Sequence, residues 1–373
     1  MKQGWESKKL GEVAKIGAGN SAPQDKSLFT NGMYPFFRTS DIGKIRIGGV
    51  STAVDLLNDQ GIKKLKLYPK GTILLPKSGA STFLNHRVIL DVDGFVSSHL
   101  ATVVCNEDLL DKRFALYYLI GIKAQDLIQD HSYPSLKLSD IKEIPIPIPP
   151  LEEQKQIVAK LDQCFEAIDK ARANTAKNLE NAKELFQSKL NEIFSQKGEG
   201  WVEKKLGDVC SLEYGKPLPK EDRDPDGLYP AYGANGIKTR TDKFLVNGRS
   251  IIVGRKGSAG EINYTEDKFW ALDVTYYTKF DSNILDLDFL YYLLSLLKLP
   301  KLAKGVKPGI NRNDVYAITI QLPPLKEQSK IAIEMKHLEN ITNSLESKYQ
   351  QELNSLEELK KSILQKAFEG ELV

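Results

Sequence analysis

PPLEEQKQI (149–157) and PPLKEQSKI (323–331) are one phrase written twice, 174 residues apart, with six of nine positions identical. How this phrase is read decides the fold. A residue preceding proline is pushed toward extended geometry, so the first proline of each pair ends the strand-like IPIPI (144–148) or ITIQL (318–322). The second proline suits a first helical turn, where its missing N–H has no partner to lose. Glu152, Glu153 and Glu327 then sit where the helix dipole favours negative charge. The phrase predicts a strand-to-helix junction, built twice.

A long charged stretch follows each copy. Glycine is absent from 151–197 and from 324–369. Apolar residues recur at steps of three and four: Ile157, Leu161, Phe165, Ile168, Leu179, Phe186, Leu190 and Ile193 in the first, and Ile331, Met335, Leu338, Ile341, Leu345, Tyr349, Leu353, Leu356, Leu359, Ile363 and Ala367 in the second. Such spacing marks a coiled-coil seam. A helix of this length, about 60–70 Å, needs a partner for its apolar stripe. Two related helices in one chain predict an antiparallel coiled coil, with a homodimer through the same helices as the competing arrangement.

The duplication extends beyond the phrase. GWESKKLGEV (4–13) matches GWVEKKLGDV (200–209) at seven of ten positions. FALYYLI (114–120) parallels FLYYLLS (289–295), and SYPSLKLSDI (132–141) parallels VKPGINRNDV (306–315). The period is far longer than a solenoid repeat, so each copy is a domain followed by a helix. The predicted organisation is a globular domain over 1–148, a long helix over 149–198, a second domain over 199–322 and a second helix over 323–373. The fold class is α+β, with duplicated α/β domains in a pseudo-twofold relation. The offset falls from 196 to 174 along the repeat, so the first copy carries about 22 extra residues between positions 14 and 113.

Within the domains, TILLP (72–76), SIIVG (250–254), FVSSHLATVV (95–104) and FWALDVTYYTKF (269–280) read as strands. FALYYLIGIKAQDLI and FLYYLLSLLKLPKLA read as helices. The net charge of +3 is uneven: residues 1–150 hold 19 basic and 15 acidic side chains, and residues 200–323 hold 18 and 16, whereas both helical stretches are mildly acidic. Mildly basic domains favour a polyanionic partner. No apolar run suggests a membrane span, and MKQGWESKK lacks a signal-peptide core, which predicts a cytoplasmic protein. Cys105, Cys164 and Cys210 are isolated, and His86, His99, His131 and His337 have no metal-ligand spacing, so neither a metal nor a cofactor is expected. RKGSAG (255–260) lacks the P-loop order, and no GxGxxG, HExxH or GxSxG motif occurs, so no catalytic residue is expected either.

Polar, basic and aromatic residues gather instead in turns. In the first copy they are Arg38, Thr39, Ser40, Lys77, Ser78, Asn85, Arg87, Tyr133 and Lys137. In the second they are Tyr232, Asn235, Lys238, Arg240, Arg255, Lys256, Ser258, Lys307, Asn311 and Arg312. Arg suits guanine and Asn adenine in the major groove, and Lys, Ser and Thr suit phosphates, so these residues form the candidate DNA-binding set, with ordinary solvated loops as the competing reading of any single cluster.

The order of domain, PPLxEQxxI helix, domain, PPLxEQxxI helix, with the GW-x-x-KKLG openings and the turns LLPKSGAS and GRKGSAG, resembles the specificity subunit of type I restriction-modification systems. The C-terminal LKKSILQKAFEGEL (359–372) is similar to that family's helix end. The resemblance implies two target recognition domains, each reading one half of a split sequence in double-stranded DNA. It implies helices that set the spacer and dock the modification (methyltransferase) subunits, two of them, with restriction (endonuclease/translocase) subunits joining the assembly. It further implies a chain without catalysis of its own, and it places Lys77-Ser78-Gly79 and Arg255-Lys256-Gly257 on loops that face DNA. The alternatives are a DNA-modifying enzyme, disfavoured by the lack of an [ND]PP[YF] motif, and a coiled-coil protein adaptor that does not bind DNA.

Overall fold

The computed structural model describes residues 4–128, 132, 134–195 and 198–373; His131 and Tyr133 lie outside the described residues. The chain divides into two compact units, residues 1–174 with 352–373 and residues 175–351. No helix among the described residues is long and apolar enough to cross a membrane.

The first unit contains, in chain order, β1 (Glu6–Lys9), α1 (Leu10–Val13), β2 (Ala14–Ala18), β3 (Tyr34–Phe37), α2 (Thr39–Ile45), β4 (Ile47–Val50), β5 (Asp55–Leu57), β6 (Ile73–Pro76), β7 (Arg87–Leu90), β8 (Phe95–Val96), β9 (Leu100–Cys105), α3 (Lys112–Gly121), α4 (Leu138–Lys142), β10 (Pro145–Ile148) and the first half of α5 (Leu151–Ser195). Its sheets run β2-β9-β6-β7-β4 and β5-β3-β8, and β1 pairs antiparallel with β10. Strands β6 and β7 are buried at every position, as expected for an apolar run inside a covered sheet.

The second unit contains β11 (Val202–Lys205), β12 (Cys210–Tyr214), β13 (Tyr229–Gly233), β14 (Gly236–Thr241), β15 (Ser250–Gly254), β16 (Ile262–Thr265), β17 (Trp270–Ala271), β18 (Thr275–Phe280), α6 (Leu287–Leu296), α7 (Arg312–Tyr316), β19 (Thr319–Leu322) and the first part of α8 (Leu325–Glu369). Its sheets run β12-β18-β15-β16 and β14-β13-β17, with β11 antiparallel to β19. The plan of the first unit recurs element by element, except that a short 3-10 turn over Leu206–Asp208 stands in place of α1 and that α2 and β4 have no counterpart. Where the first unit inserts these between β3 and β5, the second passes from Gly233 to its partner Gly236 through Ala234-Asn235 alone. This excursion accounts for much of the length difference between the copies.

Two sequence expectations need correction. FVSSHLATVV and FWALDVTYYTKF are not single strands. Each breaks in the middle, and the first piece (β8 or β17) pairs parallel in the three-stranded sheet while the second (β9 or β18) enters the larger one. Turns make the crossing: Leu100 N–H donates to Ser97 O at 2.9 Å, and Thr275 N–H donates to Leu272 O at 2.9 Å. The two expected helices after them also stop early. α3 ends at Gly121, and α6 ends before Lys298, which adopts a left-handed φ of 49° ahead of Pro300.

The repeated phrase forms the expected junction, with one residue more important than its polarity suggests. Gln154 and Gln328 are fully buried. Gln154 accepts from Asp111 N–H at 2.8 Å and donates to Leu109 O at 2.9 Å and Pro149 O at 2.8 Å. Gln328 repeats this with Asp286 N–H, Ile284 O and Pro323 O, each at 2.9 Å. Asp111 and Asp286 are themselves the N-caps of α3 and α6. Each glutamine therefore ties the start of a long helix to the start of the domain's main helix.

α5 and α8 are each 45 residues long, about 68 Å at 1.5 Å per residue. In the first unit, Asp169 pairs with Lys360 at 3.1 Å and Arg172 pairs with Glu357, so the helices run antiparallel. In the second, Phe186, Leu190 and Ile193 of late α5 share a core with Ile331 and Met335 of early α8. Each helix thus finds its partner in the same chain. The buried positions 154, 161, 168, 175 and 182 on α5, and 328, 335 and 342 on α8, recur every seven residues. This phase corrects two expected anchors: Ile341 and Leu359 are exposed. Thr342 takes the seam position, and its hydroxyl donates back to Leu338 O or Glu339 O, which makes its burial tolerable.

Candidate nucleic-acid interface

One arrangement appears in both units. β6 runs into Lys77-Ser78-Gly79, and this turn is pinned to the segment before α4: Gly79 N–H donates to Pro134 O at 2.9 Å and Leu136 N–H to Lys77 O at 2.9 Å. β15 runs into Arg255-Lys256-Gly257, where Gly257 N–H donates to Pro308 O at 3.0 Å and Ile310 N–H to Arg255 O at 3.0 Å. Gly79 and Gly257 have φ of 76° and 79° with open space where a Cβ would stand, so glycine serves the backbone conformation there. The pinning brings together chain segments distant in sequence: Lys77-Ser78 with the stretch that leads to Lys137, and Arg255 to Ser258 with the stretch from Lys307 to Arg312.

In the first unit, Lys137 is exposed and precedes α4. Arg38 precedes α2, forms an ion pair with Asp55 and lies over the Phe36 ring at 5.2 Å; Thr39 and Ser40 occupy the first turn of that helix. Arg87 does not belong to a surface, and Asn85 is half-buried. Asn85 adopts a left-handed φ of 52°, accepts from Ala124 N–H at 2.7 Å and donates to Gln125 Oε1 at 2.8 Å. Arg87 is 1% exposed, and its guanidinium donates to the carbonyls of Leu119 at 3.2 Å, His86 at 2.9 Å and Ile122 at 3.1 Å. Burial pushes its pKa down to about 10, so it remains a cation at neutral pH, held by carbonyl dipoles at the end of α3. Burial corrects the place of Arg87 in the DNA-binding set, and the half-buried Asn85 has its amide engaged within the fold. Tyr133 falls outside the described residues.

In the second unit, Asn235 is exposed at the turn between β13 and β14, and that turn lies against the end of β15: a Cβ on Gly254 would meet Ala234 O at 2.8 Å. Lys256 and Lys307 are exposed, and Ser258 is half-buried. Asn311 caps α7, accepting from Asn313 N–H at 2.9 Å. Arg255 donates twice to Asp273 O, at 3.1 and 2.8 Å, and its guanidinium carbon lies 5.3 Å from the Tyr214 ring centroid. Arg312 lies over the same ring at 4.9 Å. Tyr232, 9% exposed and edge-on to Phe269 at 5.8 Å, is core. Arg240 donates to Gly227 O at 2.6 Å and Leu228 O at 2.7 Å, bracing its own loop away from Asn235. Lys238 is exposed on β14, with its aliphatic stem beside Gly233. Sequence reasoning did not find Tyr214. Its signal is weak: it occupies the place of Ala18 once GWVEKKLGDV is laid on GWESKKLGEV at the offset of 196.

The chemistry available on this face is cationic and hydrogen-bonding. Among the described residues, no group of three or more His, Cys, Asp or Glu side chains is placed to hold a metal ion.

Residues 2–178 and 198–355 match the family model for the type I restriction modification DNA specificity domain. The chain is 26% identical, over 99% of its length and 93% of the relative's, to the type I restriction enzyme MjaIX specificity subunit of Methanocaldococcus jannaschii. It is 22% identical to the EcoprrI specificity subunit of Escherichia coli, over 86% of this chain and 84% of that one. Among solved structures it is similar in fold to a chain from work on complex assembly and conformational transition of the type I R-M system, with a TM-score of 0.81, 21% identity and coverage of 100% and 99%. It is also similar to the HsdS subunit from Thermoanaerobacter tengcongensis, with a TM-score of 0.67, 20% identity and coverage of 100% and 98%.

Proposed function

The chain belongs to the family of type I restriction-modification DNA specificity subunits, and on that premise we propose that each unit reads one half of a bipartite DNA target through the face built around its pinned glycine turn. The recognition domains are taken as 1–148 and 199–322, and the helices at 149–198 and 323–373 as the element that sets the spacer and docks modification subunits, two per chain. Restriction subunits join that assembly, which acts in the cytoplasm on double-stranded DNA. The chain itself contributes recognition and no bond-making step. The observation that supports this reading most is the repetition of one arrangement: a tight turn, tied to a second turn, presenting Lys77, Ser78 and Lys137 in one unit and Lys256, Ser258, Lys307 and Arg312 in the other. Phosphate contacts from the lysines would give affinity and register, and base contacts would give sequence preference.

The test is methylation mapping in cells that carry the chain with its modification subunit. The reading expects a split motif, and exchange of residues 199–322 for those of a relative with a different target should replace one half of the motif and leave the other intact. A motif that changes in both halves, or in neither, would refute it.

A further inference from the structure

The two units differ at one point of the shared arrangement. On β12 and β18, Tyr214 stands opposite Tyr276; at the matching place on β2 and β9, Ala18 stands opposite Ala101. Arg312 opens α7, where Leu138 opens α4. Among the described residues, therefore, only the second unit stacks cations on an aromatic ring here. Tyr214 is 47% exposed, and the guanidinium carbons of Arg255 and Arg312 lie 5.3 and 4.9 Å from its centroid. Tyr276 meets it edge-on at 5.1 Å and is itself 2% exposed, which fixes the ring from below.

The two arginines are not equivalent. Arg255 is anchored by its two bonds to Asp273 O. Arg312 has one long contact, Nη1 to Leu212 O at 3.5 Å, and among the described residues no carboxylate pairs with either guanidinium. Two cations gathered on one ring without a counter-charge repel each other, and an acceptor-rich ligand relieves that repulsion. A planar guanidinium held on an aromatic face has already lost much of its rotamer freedom and presents a fork that matches the O6 and N7 acceptors of guanine.

Resting on the DNA-reading proposal above, the geometry points to Arg312 as the residue that reads a guanine in the half-site of the second unit, with Tyr214 as its positioning residue. Among the described residues the first unit, with Leu138, Ala18 and Ala101 at these places, has no counterpart, so the two half-sites are read by different chemistry at these positions.

The experiment uses the complex of the full chain with its modification subunit and a set of duplexes in which each base pair of the mapped target is changed in turn. Arg312→Ala should relax preference at one G·C pair of one half-site by about 5- to 150-fold, leaving the other half-site unaltered. Replacing that guanine by 7-deazaguanine, which lacks the N7 acceptor, should weaken wild type and leave the Arg312→Ala complex indifferent. Tyr214→Phe, which keeps the ring, should retain most of the preference that Tyr214→Leu loses; unaltered discrimination in the other half-site shows that each variant is folded. Equal weakening on every duplex would make Arg312 a phosphate contact and overturn the inference while leaving the DNA-reading proposal standing. So would relaxation at a pair without guanine, or a wild type blind to 7-deazaguanine. A wild-type complex with no bipartite preference would overturn both.

Discussion

Gln154 and Gln328 hold three main-chain groups apiece in a place water does not reach. Replacing either with alanine strands a buried N–H and two carbonyls, each unsatisfied group costing about 1–3 kcal/mol. Gln154→Ala is expected to lower the stability of the first unit by about 3–9 kcal/mol, read as a shifted denaturation midpoint, and Gln328→Ala should do the same to the second. Recurrence of the phrase marks these positions, but glutamine on a charged helix reads as a solvated residue, so its structural role is not legible. Arg87 misleads for the mirror reason: a basic side chain near Asn and His reads as surface, and only the end of α3 above it explains its burial. The thiols give a second check. Burial pushes Cys105 and Cys210 up to about 12, so at pH 8 roughly one in ten thousand of either is thiolate. Cys105 is only half-buried, so the check falls on Cys210: a maleimide should leave it unlabelled in the folded chain and label it on denaturation, and native-state labelling of Cys210 would contradict its burial.

At the scale of elements, the long helices are the most legible part of the sequence, because period and composition agree over many turns. Their phase is less so. Ile341 and Leu359 are apolar yet face outward, and Thr342 is polar yet inward, since the seven-residue repeat decides the seam and hydrophobicity alone does not. Ile341→Ser is accordingly expected to change stability by no more than about 0.5 kcal/mol, whereas Leu161→Ala, at a fully buried seam position, should cost about 2–5 kcal/mol. Thermal or denaturant unfolding of the pair would check this, and comparable losses would contradict the assigned seam. The strands after the glycine turns are legible in place but not in sheet. A run such as FVSSHLATVV has strand propensity throughout, and what divides it is Ser97 turning the chain between two sheets that only tertiary structure reveals.

At the scale of the molecule, the two-domain, two-helix order can be read from the duplication alone, and the family assignment follows from it. The DNA-reading surface cannot, because loops carry no periodicity and their side chains differ between copies by their nature. Of the candidate DNA-binding residues, the pinned turns at 77–78 and 255–258 with 137, 307 and 312 come together, whereas Asn85, Arg87, Tyr232 and Arg240 serve the fold. If the helices act as a spacer, inserting one turn into each moves the domains by about 5 Å, one to two base pairs at 3.4 Å stacking. Methylation mapping should then show a changed spacer between unchanged half-sites. Lys256→Ala with Lys307→Ala should weaken DNA binding on all sequences alike and reduce the log–log salt slope by about one for each phosphate that no longer meets a lysine.

The first unit draws its last helical segment from residues 352–373, where Leu364 and Ala367 enter the same core as Leu10 and Phe114. A ribosome delivers those residues after it has delivered residues 175–351. The unit begun earlier of the two is thus completed later, while residues 175–351 have all their own parts before residues 352–373 are made. A nascent chain stalled once residue 351 has cleared the ribosome should protect its second unit from protease and leave the core of its first unit open to cleavage.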